Sequence, residues 1–409
     1  MAPFSSVFHI KEYVIPGEYT REYARAIGTS QDDHLFLHVK QYTPKANGPP
    51  QFGDVSIIGC HANGFPKELY EPLWEDLVKE LKTNGIPVAS IWIADCAWQG
   101  QSGILNKLKL GNDPSVFDYA RDVLQMINHF RMPHPLIGVG HSVGATALTK
   151  LALFHPRLFS TLIQIDPIIS EYNAKTALAL PAMSGKRRDT WPSRETAAEM
   201  FRMNKFYQRW DPRVLDRWIS FGLTDASPGS GGGEVMLTTS RHQEVFTFAR
   251  PSHHAVSKDG KSVNRDLVPD MDLRNGPIAP IYRPEASHVF EQLQHLSPWA
   301  LWLYGGQSYM SPAQRTANIE ITGTGLGGNG GLATGRVGFV VGEDWGHLIP
   351  LEAPAFVARA AADFLPRAIK HWEAQERDYK AWAAKPLSEK TQITQTTQDE
   401  IVKALKSKM

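Results

Sequence analysis

The five residues Gly140-His141-Ser142-Val143-Gly144 constrain this chain more than any other stretch. They close an apolar run, Pro135–Gly140 (PLIGVG), that reads as a buried strand, and they precede Thr146–Phe154, which reads as a helix. A serine between two glycines at a strand-to-helix turn occupies a sharp, strained bend, and the glycines keep side chains clear of neighbouring elements. That bend presents Ser142 as a nucleophile. The helix behind it aims its N-terminal amides at the same point, which places the Val143 amide to bind an oxyanion. The five-residue pattern arises by chance in many chains, so its weight comes from the strand before it and the helix after it.

The flanking sequence supplies a matching framework. Val55–Gly59 (VSIIG), Pro87–Ala94 (PVASIWIA) and Thr161–Ile165 (TLIQI) are short, apolar, β-branched runs bounded by turn residues, so each reads as a buried strand. Between them, Tyr70–Thr83 places Leu73, Leu77 and Leu81 at helical spacing, and Val116–Phe130 repeats the pattern. Strands alternating with helices predict a mostly parallel sheet with helices on both faces. After Asp166 the rhythm breaks into a basic stretch, aromatic helices around residues 206–221 and a glycine loop; strands return at Trp299–Tyr304 and Val337–Val341. We therefore divide the chain into a core formed by residues 1–166 and 296–369, a mainly helical cap inserted at 167–295, and a tail at 370–409 that begins helical and turns polar.

Bulk properties narrow the function classes. A net charge of +1 over 409 residues gives no general reason to expect nucleic acid as a partner. No uninterrupted run of about 18 apolar residues predicts a membrane span, and residues 1–30 lack the apolar core of a secretory signal. Cys60 and Cys96, the only cysteines, each follow a strand and read as buried, reduced thiols. The segment Thr322–Gly335 contains G-x-G-x-x-G, but further glycines follow where the dinucleotide fingerprint needs a helix, so it reads as a flexible loop. Lys186-Arg187-Arg188 could clamp a phosphate, although a solvated basic face is the commoner reason for such a run. Asp95, with Gly100-Gln101-Ser102, reads as loop-shaping.

Fifteen histidines compete for the role of base. His347 alone, in Gly346-His347-Leu348-Ile349-Pro350, lies between the last strand and a helix, which puts it on the sheet edge that carries Ser142. The motifs HANGFPKE (61–68), GHSVG, RRDTWPSRE (187–195) and GHLIPLEAP (346–354) together resemble the α/β-hydrolase superfamily. More narrowly, they resemble fungal peroxisomal hydrolases that include toxin-biosynthesis proteins, a peroxisomal lipase and the acyl-CoA hydrolase of mycophenolic acid biosynthesis. The resemblance runs across Val55–Leu365.

The acid of such a triad usually follows the strand WALWLY, but here Gly306-Gln307-Ser308-Tyr309 offers no carboxylate. Asp166 ends the strand Thr161–Ile165 on the same sheet edge, where a carboxylate can hold the imidazole tautomer. Glu171 and Asp344 are rivals; the resemblance favours Asp166, because this group of hydrolases takes its acid from the strand preceding the cap. The fold also implies that the loop after Val55–Gly59 supplies a second oxyanion amide, and aligning Asn63-Gly64-Phe65-Pro66 with the common pattern points to Phe65.

The expected chemistry is acyl transfer to water by Ser142, His347 and Asp166, with the amides of Val143 and Phe65 holding the oxyanion and with no metal or organic cofactor. The last residues, Ser407-Lys408-Met409, resemble the peroxisomal address Ser-Lys-Leu, which implies an import receptor as partner and the peroxisome as location. That address and the family resemblance favour an acyl-CoA thioesterase of fungal secondary metabolism. A lipase or carboxylesterase is the alternative substrate class. An acyltransferase, a cyclase or a non-catalytic binding protein on the same fold is the alternative activity.

Overall fold

The computed structural model describes residues 6–46, 48–171, 178–227, 233–271, 273 and 281–407. Met1–Pro366 form one compact unit and Arg367–Met409 a second. The first unit is built on an eight-stranded sheet. Its strands are β1 (Phe8–Pro16), β2 (Phe36–Pro44), β3 (Val55–Cys60), β4 (Val88–Ala94), β5 (Leu136–His141), β6 (Thr161–Ile165), β7 (Trp299–Gly305) and β8 (Val337–Gly342), in the order β1-β2-β4-β3-β5-β6-β7-β8. From β4 to β8 every neighbouring pair is parallel, whereas β1–β2 and β2–β4 are antiparallel.

The central strands are apolar without alternation because helices cover both faces. Every residue of β3, β4, β5 and β6 is buried. Strand β1 escapes the sequence pattern for the opposite reason: it lies at the edge and is exposed at most positions, Lys11 and Glu12 among them. The crossover helices are α1 (Glu71–Thr83), α2 (Val116–Phe130) and α3 (Val143–Phe154). Helix α2 starts on a Ser115 side-chain cap and buries Tyr119, Val123, Met126 and Ile127. Helix α3 is buried along most of its length and packs on α2 and β5.

Between β6 and β7 the chain leaves the sheet. This segment carries short helices, among them α4 (Arg241–Phe248), but also a three-stranded antiparallel sheet (Thr190–Trp191, Leu223–Asp225, Val235–Leu237) and a two-stranded one (Arg250–Pro251, Ile281–Tyr282). Those strands are two or three residues long, too short for an alternating pattern to register. The sheet register brings the carboxyl ends of β5, β6, β7 and β8 side by side, with His141 opposite Ile165, Ile165 opposite Leu303 and Gly305 opposite Gly342. In parallel α/β sheets that edge is where ligands bind.

Candidate active site

Ser142 follows β5 directly, and its backbone is forced to φ 57° and ψ −121°. Its own N–H donates to the Ile165 carbonyl at 2.9 Å, so the bend is pinned to β6. The flanking glycines are required by space. A Cβ on Gly140 would lie 2.5 Å from the Ala145 Cα, and one on Gly144 only 2.4 Å from the Cys60 carbonyl oxygen. Removing either glycine would push α3 away from the sheet, and with it the nucleophile.

Asp166 follows β6 in the same way, with φ 41° and full burial. Its carboxylate accepts from the Gly305 N–H at 2.8 Å and the Ser308 hydroxyl at 2.7 Å. The third partner is His347, whose Nδ1 lies 2.9 Å from Asp166 Oδ1. With Nδ1 facing a carboxylate, that nitrogen carries the proton, and Nε2 is left to accept from Ser142 Oγ at 3.0 Å. Ser142, His347 and Asp166 therefore form one hydrogen-bonded chain. The rivals Glu171 and Asp344 are both exposed, and neither has a hydrogen bond to His347 among the described residues.

The site opens into a cavity of about 540 Å³. Ser142, His347, Phe65, Phe206, Phe248 and Tyr309 are among its walls, so the lining is largely aromatic and apolar. The Tyr309 hydroxyl stands 3.3 Å from His347 Nε2, with its ring centroid 4.6 Å from the imidazole. Arg187 also reaches the cavity, but its guanidinium pairs with Glu244 at 2.8 Å and lies over Trp218. Arg188 donates to the Thr190 carbonyl and lies over Trp191, while Lys186 is exposed. Among the described residues no group of three or more His, Cys, Asp or Glu could hold a metal ion. No helix among them is long and apolar enough to cross a membrane.

The sequence points to the Phe65 amide in the loop after β3. The Phe65 N–H turns onto the Ala62 carbonyl at 3.3 Å, closing a turn, and its ring meets Trp210 and Trp218 edge-on. Gly64 has φ 84° and donates to Gln99 Oε1 at 2.8 Å. The amides of His61 and Ala62 donate to the hydroxyls of Tyr119 and Tyr70. Among the described residues the Asn63 N–H has no acceptor, and Asn63 lines the cavity with Ser142. The Val143 N–H sits at the first position of α3, where a helix amide has no partner of its own.

The profile of the alpha/beta hydrolase family matches residues 57–360. The chain belongs to the alpha/beta hydrolase family. Among curated members of this family, the chain is 38% identical over 399 residues to the type I acyl-CoA thioesterase mpaH' of Penicillium brevicompactum, covering 91% of both chains. It is 37% identical to the type I acyl-CoA thioesterase mpaH of Penicillium roqueforti, over 92% of this chain and 91% of that one. The Abhydrolase domain-containing protein AFT2-1 of Alternaria alternata is 31% identical over 58% of this chain and 85% of its own. Among solved structures, the peroxisomal alpha-beta-hydrolase Lpx1 of Saccharomyces cerevisiae shares the fold with a TM-score of 0.61 at 16% identity, covering 98% of each chain.

Two further buried side chains complete the description of this hydrolase site. His141, the variable residue of the elbow, is buried. Its Nδ1 accepts from the Tyr70 hydroxyl at 2.7 Å, and its Nε2–H donates to the His347 backbone carbonyl at 2.9 Å. Burial, then the neighbouring His347, pushes its pKa down to about 3, so it remains neutral and keeps one tautomer. Asp95, after β4, is fully buried and accepts from the backbone of Lys67 and Gln101 and from Lys67 Nζ at 2.5 Å, as its loop-shaping reading expects. The two cysteines are free and buried, and burial lifts the Cys60 thiol to about 12, which leaves it inert.

Proposed function

We propose that this chain is a serine hydrolase that cleaves an acyl-CoA thioester through an acyl-enzyme. The observation that carries this reading is the chain Ser142–His347–Asp166, with separations of 3.0 and 2.9 Å, opening into an apolar cavity. His347 Nε2 takes the Ser142 proton as Oγ bonds to the thioester carbonyl carbon, and Asp166 stabilises the imidazolium without taking a proton. The carbonyl electrons move to oxygen, which binds the Val143 amide and an amide of the 61–66 loop. Collapse breaks the carbon–sulfur bond, and the departing sulfur receives the proton from Nε2. Water, deprotonated by the same nitrogen, then releases the acid and restores Ser142.

The thioester is favoured over an oxygen ester by the likeness, along nine-tenths of the chain, to proteins described as acyl-CoA thioesterases. Residues 167–295 serve as a cap that shapes the acyl cavity, in which Phe206 and Phe248 form part of the wall. Location in the peroxisome, through an import receptor and within secondary metabolism, rests on Ser407-Lys408-Met409 and the fungal resemblance; Lys408 and Met409 lie outside the described residues.

The test combines a fluorophosphonate probe with a panel of acyl-CoAs and p-nitrophenyl esters. Wild type should be labelled and should hydrolyse at least one acyl-CoA, whereas Ser142→Ala should do neither. Labelling at Ser142 with no hydrolysis of any thioester or ester would favour a transferase or cyclase instead.

A further inference from the structure

Asn63 and Gly64, in the loop after β3, are both held by one side chain from another loop. Gln99 follows β4 and is 1% exposed. Its Oε1 accepts from the Gly64 N–H at 2.8 Å, and its Nε2 donates to Asn63 Oδ1 at 2.5 Å and to Thr247 Oγ1 at 2.9 Å. Backbone groups fix the orientation of both amides. The Gly64 N–H can only donate, so it must face Oε1 of Gln99. The Glu244 carbonyl can only accept, so it must face Nδ2 of Asn63, 3.0 Å away. All the partners of Asn63 and Gln99 are thereby assigned, and all are buried or nearly so.

Two of those partners, Glu244 and Thr247, lie on α4 in the segment inserted between β6 and β7. The neighbours of Gln99 point the same way: Trp98 Nε1 donates to Thr247 Oγ1 at 2.8 Å and the Gly100 N–H to Thr239 Oγ1 at 2.9 Å. Three consecutive residues after β4 are therefore seated on the insertion. Gly64 is itself confined, since a Cβ there would lie 3.0 Å from Glu244 Cδ at a φ of 84°. The result is that Asn63 has both side-chain ends and its following peptide anchored, while its own N–H is the amide of residues 61–65 without an acceptor among the described residues.

We infer that Gln99 is a positioning residue that holds the Asn63 amide ready for the oxyanion and ties that readiness to the inserted helix α4. This inference rests on the proposed serine-hydrolase chemistry and moves the second oxyanion donor from Phe65 to Asn63. Gln99 does not touch substrate. It acts by fixing the Asn63 side chain and the peptide that follows it, so that binding against α4 and formation of the oxyanion site are coupled. A donor misplaced by part of an ångström loses most of its worth at the transition state while leaving substrate binding nearly intact.

The experiment uses the full chain and 1,1,1-trifluoro-3-(octylthio)propan-2-one. Its carbonyl accepts Ser142 Oγ and becomes an oxyanion, with the serine proton passing to His347. Gln99→Met keeps the shape of the side chain and removes all its side-chain hydrogen bonds; Thr247→Val removes one of those bonds, together with the acceptor of Trp98 Nε1. In Gln99→Met, ketone affinity should fall about 10- to 100-fold, somewhat less than for loss of an oxyanion donor outright. For p-nitrophenyl octanoate, kcat should fall by the same factor with KM within about twofold of wild type. Thr247→Val should move both quantities in the same direction by a smaller factor in a variant that is less stable but still folded, and it carries the test if Gln99→Met fails to fold. Unchanged ketone affinity in the folded variants, or a rise in KM with constant kcat, would overturn the inference. A shift in Gln99→Met with none in Thr247→Val would overturn the tie to α4. If wild type itself does not bind the ketone, the reading of Ser142 fails and the inference falls with it.

Discussion

His347 and Asp166 stand 181 residues apart in sequence, yet Nδ1 of one lies 2.9 Å from Oδ1 of the other. The contact exists because β6 and β8 flank β7 and end on the same edge. Asp166→Asn should test what the contact does. An asparagine must keep its oxygen toward the Gly305 N–H, which turns its NH₂ to His347 Nδ1 and imposes the wrong tautomer. We expect kcat to fall on the order of 10⁴, as for the same substitution in a serine protease, with the far-ultraviolet circular dichroism unchanged. Glu171→Gln and Asp344→Asn, at exposed positions, should cost less than about threefold. An active Asp166→Asn beside a dead Asp344→Asn would show that the acid lies elsewhere.

Tyr309 occupies the position where the acid of this fold usually stands, and its hydroxyl faces the opposite nitrogen of the imidazole, 3.3 Å from Nε2. There it shares that nitrogen with Ser142 and cannot set the tautomer. Tyr309→Phe should therefore lower kcat by less than about tenfold, the scale of one neutral hydrogen bond. Steady-state kinetics beside Asp166→Asn decide the matter. Equal losses in the two variants would make Tyr309, not Asp166, the group that orients His347.

Sequence made the sheet and its reactive edge legible for a physical reason. Buried parallel strands such as β3 and β5 must be apolar throughout, and a nucleophile bend needs Gly140 and Gly144 for space, so both leave marks within a few adjacent residues. Asp166 could be read because it abuts such a strand. The groups that support the triad leave no such mark. Ser308 reaches Asp166 across 142 positions, and His141 reaches the His347 carbonyl across 206. The choice of amide in the 61–66 loop was hard to read for a related reason: an alignment gives the loop but not the peptide orientations, and partners such as Gln99, 35 residues on from Gly64, leave no local mark. The small sheets of the insertion were hidden by their length alone.

The tail makes a separable prediction. A fluorescent protein carrying the last dozen residues should gather in peroxisomes of a fungal cell, and removal of Ser407-Lys408-Met409 should leave it diffuse. Imaging against a peroxisomal marker reads the result. Diffuse fluorescence from the intact tail would remove the address without touching the hydrolase assignment.

The last prediction concerns stability in acid. Glu68 is buried, and its carboxylate lies 3.1 Å from both Lys40 Nζ and Lys67 Nζ. Burial alone would raise its pKa, but the two ammonium groups outweigh burial and hold it well below the ordinary carboxylate range. A carboxylate with a lowered folded-state pKa contributes stability that is complete above its unfolded value, about 4.5, and is lost as the pH falls toward the folded one. Glu68→Gln cannot take up that proton. Asp95 still faces Lys67 and Glu71 still faces Lys40, so the variant should fold, with a lower Tm at pH 7. Below pH 4.5 its stability should fall less steeply than that of wild type, by up to one proton's share, or about 1.4 kcal/mol per pH unit. Denaturant unfolding across pH 3 to 7 measures both slopes. Parallel curves would mean that Glu68 titrates alike in the folded and unfolded chains, and that Lys40 and Lys67 do not stabilise its charge.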